Sequence, residues 1–230
     1  MNASALVTGG TGGLGTAVTT TLLDAGWRVV VPWVAEHELS RLAPHPNLEL
    51  VKADLFEPDS VAEVVGVAAS RTDAPLRAVA NLVGGFATGG TVHQTPIDDF
   101  EHMLRLNLRP TYLVCHHALP YLVEAGGGSI VAVSTKAAFA PFSGAAGYVT
   151  AKAGVWALVS ALAVEYRAAG VRANAILPSV IDTPANRASQ PDSDRKGWVS
   201  PAAIAEVVAF LFSDASAPIT GAQVPVPGVG

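Results

Sequence analysis

Charge is scarce in this chain: only 14% of its 230 residues are Asp, Glu, Lys or Arg, and they sum to −5. With a pI near 5.6 there is no basic stripe, so nothing supports nucleic-acid binding by phosphate neutralisation. There is one cysteine, Cys115. It excludes an intrachain disulfide and a multi-cysteine metal site, fits a reducing compartment, and reads as a small packed residue on a helix. No run of about 18 uninterrupted apolar residues offers a membrane span. Ala5-Leu6-Val7 is too short for a signal-peptide core and runs straight into glycines. A cytoplasmic protein with no membrane partner is expected. The six histidines lack cysteine or i+4 partners, and the adjacent His116 and His117 are expected to point apart, so no metal is predicted. Repeats, low-complexity tracts and interdomain linkers are also missing, which leaves residues 1–230 as one domain.

What is present is apolar: half of the residues are hydrophobic, which suits a sheet covered on both faces. Short Val/Ile/Leu-rich runs at 5–7, 27–31, 48–51, 78–83, 129–133 and 172–177 alternate with longer helical segments. The fold class this predicts is α/β, a Rossmann-type doubly wound parallel sheet with helices on both faces. Helices are expected over Leu14–Ala25, stopping at Gly26, and from Pro58, with Val61, Val64 and Val65 inward. A long helix over Pro96–Leu122 is interrupted by Pro110, and an unbroken one covers Ala145–Ala169 up to Gly170. Val155, Leu158, Val159, Leu162 and Tyr166 form the core stripe of the latter, leaving Trp156 on another face for the core or for a partner subunit. The polar stretch Pro178–Gly197 is long for a compact domain, and a substrate lid at about 178–199 is expected.

Two motifs carry chemistry. Thr8-Gly9-Gly10-Thr11-Gly12-Gly13-Leu14-Gly15 follows a strand and opens a helix, where side-chain-free residues leave backbone N–H groups free for a pyrophosphate. Its spacing matches both TGxxxGxG and TGxxGxxG. Nicotinamide cofactors are told apart at the end of the second strand. There Pro32-Trp33-Val34 offers neither carboxylate nor arginine, Glu36 just beyond would repel a phosphate, His37 would help one only weakly, and Arg41 lies too far along the next helix. The cofactor is thus NAD(H) or NADP(H), with NAD(H) favoured; Asp54, after the third strand, is placed for the adenine amino group. The second motif, Tyr148-Val149-Thr150-Ala151-Lys152, stacks a phenol and an ammonium one helical turn apart. A tyrosine ionises near pH 10, and a neighbouring cation would lower that. Asn107, and Ser134-Thr135 after the fifth strand, fall at suggestive places; adjacent residues leaving a strand point oppositely, so one of the two hydroxyls faces a substrate.

These residues resemble the classical short-chain dehydrogenase/reductase family over nearly the whole chain. The turn at Thr8–Gly15, Asp54-Leu55, Asn81 with Gly84-Gly85, Asn107, Tyr148 with Lys152, Asn174 to Pro178 and Thr183 all fall in the family's order. The resemblance implies Tyr148 as general acid/base, Lys152 as its pKa modulator and ribose ligand, and Asn107 as holder of a relay water. It implies a cofactor wall of Gly9, Thr11, Gly12, Gly13, Leu14, Gly15, Trp33, Asp54, Leu55, Asn81, Gly84, Tyr148, Lys152, Pro178, Ile181 and Thr183. The family's usual serine is Thr135 here. Leu177-Pro178, Asp182–Arg187, Pro191 and Trp198 look like dihydropteridine reductase and its bacterial relatives, which manage without that serine. The resemblance therefore implies a reductase of a small carbonyl or quinonoid compound, such as a dihydropterin. A secondary-alcohol dehydrogenase and a non-catalytic redox sensor are the alternatives. The family's habit also implies a homodimer or homotetramer, with a small-molecule substrate.

Overall fold

The computed structural model describes residues 2–228. Seven strands form one sheet in the order β3-β2-β1-β4-β5-β6-β7, every neighbouring pair parallel. They are β1 (Ser4–Thr8), β2 (Arg28–Trp33), β3 (Leu48–Lys52), β4 (Leu76–Asn81), β5 (Gly128–Val133), β6 (Val171–Pro178) and β7 (Gln223–Val226). The strand order reverses between β1 and β4, and in such sheets the crevice outside the carboxyl ends at the reversal is where ligands bind.

The inner strands are recognisable as apolar runs because both faces are covered. Leu6 of β1 joins Val30, Val79, Ile130 and Leu177 in one core layer, while its neighbours Ala5 and Val7 join Val29, Val31, Val131 and Ile176 in the other. The first layer is closed by α2 (Pro58–Ala69), α4 (Arg109–Glu124) and α5 (Ala146–Glu165), the second by α1 (Gly15–Asp24) and α7 (Pro201–Phe212). Val61, Val64 and Val65 are fully buried as their spacing predicts, and each such side chain contributes roughly 1.5–3 kcal/mol. β2 continues two residues past its apolar run. Pro32 is tolerated there because pairing with β1 stops at Val30, so its missing N–H interrupts no ladder on that side.

One expectation holds and two change. The long helix before β5 is two helices, α3 (Ile97–Asn107) and α4, meeting at Leu108. Pro110 has no N–H for the Leu106 carbonyl, so the ladder cannot run through. The helix expected to reach Ala169 stops at Glu165 and tightens into a 3-10 turn, Arg167–Ala169, before Gly170 at φ +74°. The rings of His116 and His117 do not diverge; they meet edge-on with centroids 4.9 Å apart. Along α5, Val155, Val159 and Leu162 are buried, Leu158 and Tyr166 pack beside them, and Trp156 is covered by Phe139 of its own chain at 4.8 Å. By length and composition α5 is apolar enough to cross a membrane, but here that stripe is part of the core. The polar stretch after β6 is ordered by a bridge between Ile181 and Val199 and by the short helix α6 (Pro184–Ser189), capped by the Thr183 hydroxyl. An Asp182–Arg187 ion pair braces it.

Candidate active site

The turn between β1 and α1 is built by the absence of side chains. Gly9 sits at φ +68°, a region that glycine enters without strain. The Gly12 N–H returns to the Gly9 carbonyl at 3.0 Å. A Cβ on Gly15 would overlap that same carbonyl oxygen, and one on Gly13 would press on Thr183. No side chain caps the start of α1; the Thr16 N–H is taken by the Gly12 carbonyl at 2.9 Å, and the positive end of the helix still favours an anion there. The Thr8 hydroxyl accepts from the Leu82 N–H at 3.1 Å and fixes the turn to the end of β4.

These residues open into a cleft of about 330 Å³ at the sheet's reversal point. Of the residues expected to hold cofactor, Gly9, Thr11, Gly12, Gly13, Leu14, Gly15, Trp33, Asp54, Leu55 and Gly84 line it. Asn81 does not: its side chain turns under the sheet, donating from Nδ2 to Cys115 Sγ at 3.4 Å, while Oδ1 is buried without a partner among the described residues. Cys115 is buried, and burial pushes its thiol up to about 12. The Asp54 carboxylate accepts from the Phe56 N–H at 2.9 Å and closes its own turn.

Two readings of the adenosine end are corrected. Glu36 is exposed, and the acid that lines the cleft is Glu38. Arg41 reaches back to the glycine turn, donating to the Thr11 carbonyl at 3.1 Å. Both follow from residues Glu36–Arg41 forming a tight 3-10 helix directly after β2, which carries position 41 back toward the strand end. Glu38 escaped notice because that helix has no apolar period. The i,i+3 spacing of Glu38 and Arg41 was the available signal.

At the other end Gly84 leaves room for two side chains: a Cβ there would stand 2.6 Å from Asn107 Oδ1 and 2.8 Å from Lys152 Nζ. Asn107, the last residue of α3, is wholly buried. Its Oδ1 accepts from the Gly85 N–H at 3.0 Å and its Nδ2 donates to the Met103 carbonyl at 3.1 Å. The side chain thereby fixes the loop after β4. The Ser134 hydroxyl donates to the Lys152 carbonyl at 2.8 Å. Thr135, which caps the turn Lys136–Ala138, is the neighbour whose hydroxyl meets Tyr148. The Phe86 ring stands edge-on to Tyr148 with centroids 5.0 Å apart, and Phe142 lies 6.3 Å beyond it. Their two loops are tied by the Gly89 N–H to the Gly144 carbonyl at 2.9 Å. Neither phenylalanine was signalled by any motif. Thr183 reaches the cleft only through Gly13, and Pro178 and Ile181 lie outside its lining.

The electrostatics differ from the sequence expectation. The Tyr148 phenol is raised above its ordinary value by burial, with the Thr135 hydrogen bond as a weaker opposing influence. Lys152 exerts no resolved pull on it. The lysine is buried, its Nζ donates to the Val133 carbonyl at 3.0 Å, and burial pushes its ammonium down to about 8. A group held at about 8 when folded and 10.5 when unfolded binds fewer protons in the native state between those values. Its cost to folding is full below pH 8 and fades as pH rises toward 10.5. Stability of Lys152→Met relative to the parent should therefore fall by roughly 3 kcal/mol across that window, read from urea denaturation in a pH series. A flat difference would mean that Lys152 is not desolvated. The orphaned Val133 carbonyl shifts the whole difference by a constant and leaves its slope untouched.

Among the described residues no group of three or more His, Cys, Asp or Glu side chains assembles for a metal. A family profile described as enoyl-(acyl carrier protein) reductase matches residues 9–228. The cis-4-hydroxycyclohexanecarboxylate dehydrogenase of Sinomonas cyclohexanicum is 33% identical over 97% of this chain and 94% of its own length. The cyclohexanol dehydrogenase of an Acinetobacter strain is 30% identical over 99% and 94%. The crystal structure of levodione reductase superposes with a TM-score of 0.90 at 27% identity, covering 99% of this chain and 97% of the other. The chain belongs to the classical short-chain dehydrogenase/reductase family and is an NAD(P)-dependent oxidoreductase.

Proposed function

We propose that the protein interconverts a secondary alcohol and a ketone on a small, apolar, cyclic carbon skeleton. The observation that carries this is the setting of Tyr148: its hydroxyl beside Thr135, its ring edge-on to Phe86, and Phe86 backed in turn by Phe142. A nicotinamide dinucleotide fits that cleft, because the turn at Gly13 and Gly15 and the wall at Gly84 have no room for a Cβ. When bound, it supplies or accepts the hydride. In the reducing direction Tyr148 donates its phenolic proton to the carbonyl oxygen and Thr135 donates a hydrogen bond to the same oxygen. Lys152 Nζ, adjoining Gly84, serves the ribose hydroxyls and returns a proton to the phenolate. Asn107 holds the loop that carries Gly84 and Gly85. The segment 178–199 is the lid in this reading, and Leu108, Tyr112 and Leu158 line an apolar groove along α4 and α5 through which a homodimer or homotetramer would form.

A dihydropterin is the weaker substrate. Relatives named for cyclic alcohols match over nearly the whole chain, and the ring packed against Tyr148 is the phenyl of Phe86. The test is turnover of cyclohexanol-type alcohols and cyclohexanones, linear butanol, and quinonoid dihydropterin with each cofactor. Activity on the rings supports the reading, and activity confined to the pterin replaces it. Phe86→Ala removes the edge-on partner of Tyr148, an interaction of roughly 0.5–1.5 kcal/mol. It should raise KM for cyclic substrates about two- to tenfold, with little change for the linear alcohol.

A further inference from the structure

Two hydroxyls leave β5 side by side, and only that of Thr135 meets Tyr148. Ser134 is buried more deeply and joins two other elements. Its N–H donates to the Ile176 carbonyl of β6 at 2.9 Å, and its hydroxyl donates to the Lys152 carbonyl of α5 at 2.8 Å. The carbonyl just before it, that of Val133, accepts from Lys152 Nζ at 3.0 Å. Three consecutive residues at the end of one strand thus address the ammonium of Lys152, its main chain and the hydroxyl of Tyr148. The start of α5 has few other fixing points. No side chain caps it, and among the described residues the Ser134 hydroxyl is the only side-chain group from outside the helix that bonds its main chain.

We infer that Ser134 is a positioning residue for the reaction: its hydroxyl pins the main chain of Lys152 to the sheet, so that Nζ is held beside Gly84. It touches neither substrate nor cofactor and acts through that ammonium, so the inference rests on the role proposed for Lys152 toward the ribose hydroxyls. In a helix each carbonyl already accepts from the N–H four residues on. The Ser134 bond is therefore a second one on the Lys152 carbonyl, and its loss leaves the helical ladder complete. What it fixes is position. β6 holds Ser134, and Ser134 holds the turn that carries Tyr148 and Lys152. The lysine side chain is buried between Val133 and Gly84, so its stem has little freedom to make up for a displaced main chain. A misplacement of about 1 Å at a reacting centre costs on the order of 10²-fold in rate, and loss of one of several restraints should cost less.

NADH and NADPH are titrated without substrate, by calorimetry, into the parent, Ser134→Ala, Ser134→Cys, Ser160→Ala, Lys152→Met and the double variant of Ser134→Ala with Lys152→Met. The tighter dinucleotide then serves for turnover of the best substrate of the panel above, and melting curves check folding. Ser134→Ala should lower kcat roughly tenfold and weaken dinucleotide binding about threefold or more, with KM for the substrate within about twofold of the parent. Ser134→Cys, whose thiol remains a weak donor, should recover part of both losses, and it keeps the comparison readable if the alanine variant melts early. Ser160→Ala removes a hydroxyl from the Trp156 carbonyl at 3.1 Å, farther along the same helix, and should leave both quantities at parent values. On the Lys152→Met background, Ser134→Ala should change the dissociation constant by less than about twofold, because the group it positions is gone. An unchanged kcat and dissociation constant in Ser134→Ala, or an equal loss with and without Lys152, overturns the inference. Lys152→Met that binds and turns over like the parent overturns instead the role of Lys152, and that single variant shows it without reference to Ser134.

Discussion

Tyr148→Phe should lower kcat by roughly 10²–10⁴, the range for loss of a positioned general acid, while NADH binding and the fold stay as they are. The ring is partly buried and packs edge-on against Phe86, a contact that phenylalanine keeps. The oxygen that is lost has the Thr135 hydroxyl beside it, and that hydroxyl retains the Ala137 N–H at 3.2 Å, so the cost in stability is about 1 kcal/mol at most. Single-turnover kinetics with bound cofactor separate the chemical step from binding. Direction adds a second check. Because burial raises the phenol above its ordinary value, Tyr148 is a protonated donor at neutral pH. Ketone reduction should then be insensitive to pH there and decline only in the alkaline range, whereas alcohol oxidation, which needs the phenolate as base, should climb as pH rises. Two profiles of the opposite sense, or a phenylalanine variant as active as the parent, would take Tyr148 out of the acid/base role.

That phenol also marks where sequence reasoning stops. The spacing of Tyr148 and Lys152 is legible because one helical turn separates them, but the company each keeps is not. Lys152 Nζ goes to the Val133 carbonyl, and a strand carbonyl leaves no trace in a motif. The sheet was readable for a physical reason: strands buried on both faces, such as β1 with Leu6 inward on one side and Ala5 and Val7 on the other, are apolar through their middle, and Ser4 and Thr8 sit at its two ends. The glycine turn was readable because glycine alone tolerates its geometry. Glu38 and Arg41 sit on a 3-10 helix with no period to detect, and Phe86 and Phe142 meet only because the backbones of Gly89 and Gly144 join two distant loops. Asn81 shows the limit from the other side. Its place in the order matched a motif, yet its side chain points to Cys115 and not into the cleft. Order along a chain fixes which strand end a residue occupies; side-chain direction depends on the local pleat.

The other large effect belongs to Gly15. An alanine there should destroy dinucleotide binding and destabilise the fold by roughly 1–3 kcal/mol or more, measured by NADH titration and by urea midpoint. The reason lies in what the methyl group meets: the carbonyl oxygen of Gly9, with the Gly10 Cα 2.6 Å away. These are backbone atoms, and no flexible side chain is available to swing aside. Gly9 is held in turn by its φ of +68° and by the Gly12 N–H on the same carbonyl, so the turn can make room only by pulling β1 and the start of α1 apart. That movement spreads the N–H groups meant for the pyrophosphate, so binding and stability fall together. Gly66 supplies the contrast. It lies inside α2, a Cβ would find nothing within 4 Å, and Gly66→Ala should stabilise by roughly 0.5–1 kcal/mol through helix propensity alone. If Gly15→Ala matched Gly66→Ala in midpoint and still bound NADH like the parent, the close approach of the turn to the helix would be wrong, and with it the argument that this cleft is shaped for a pyrophosphate.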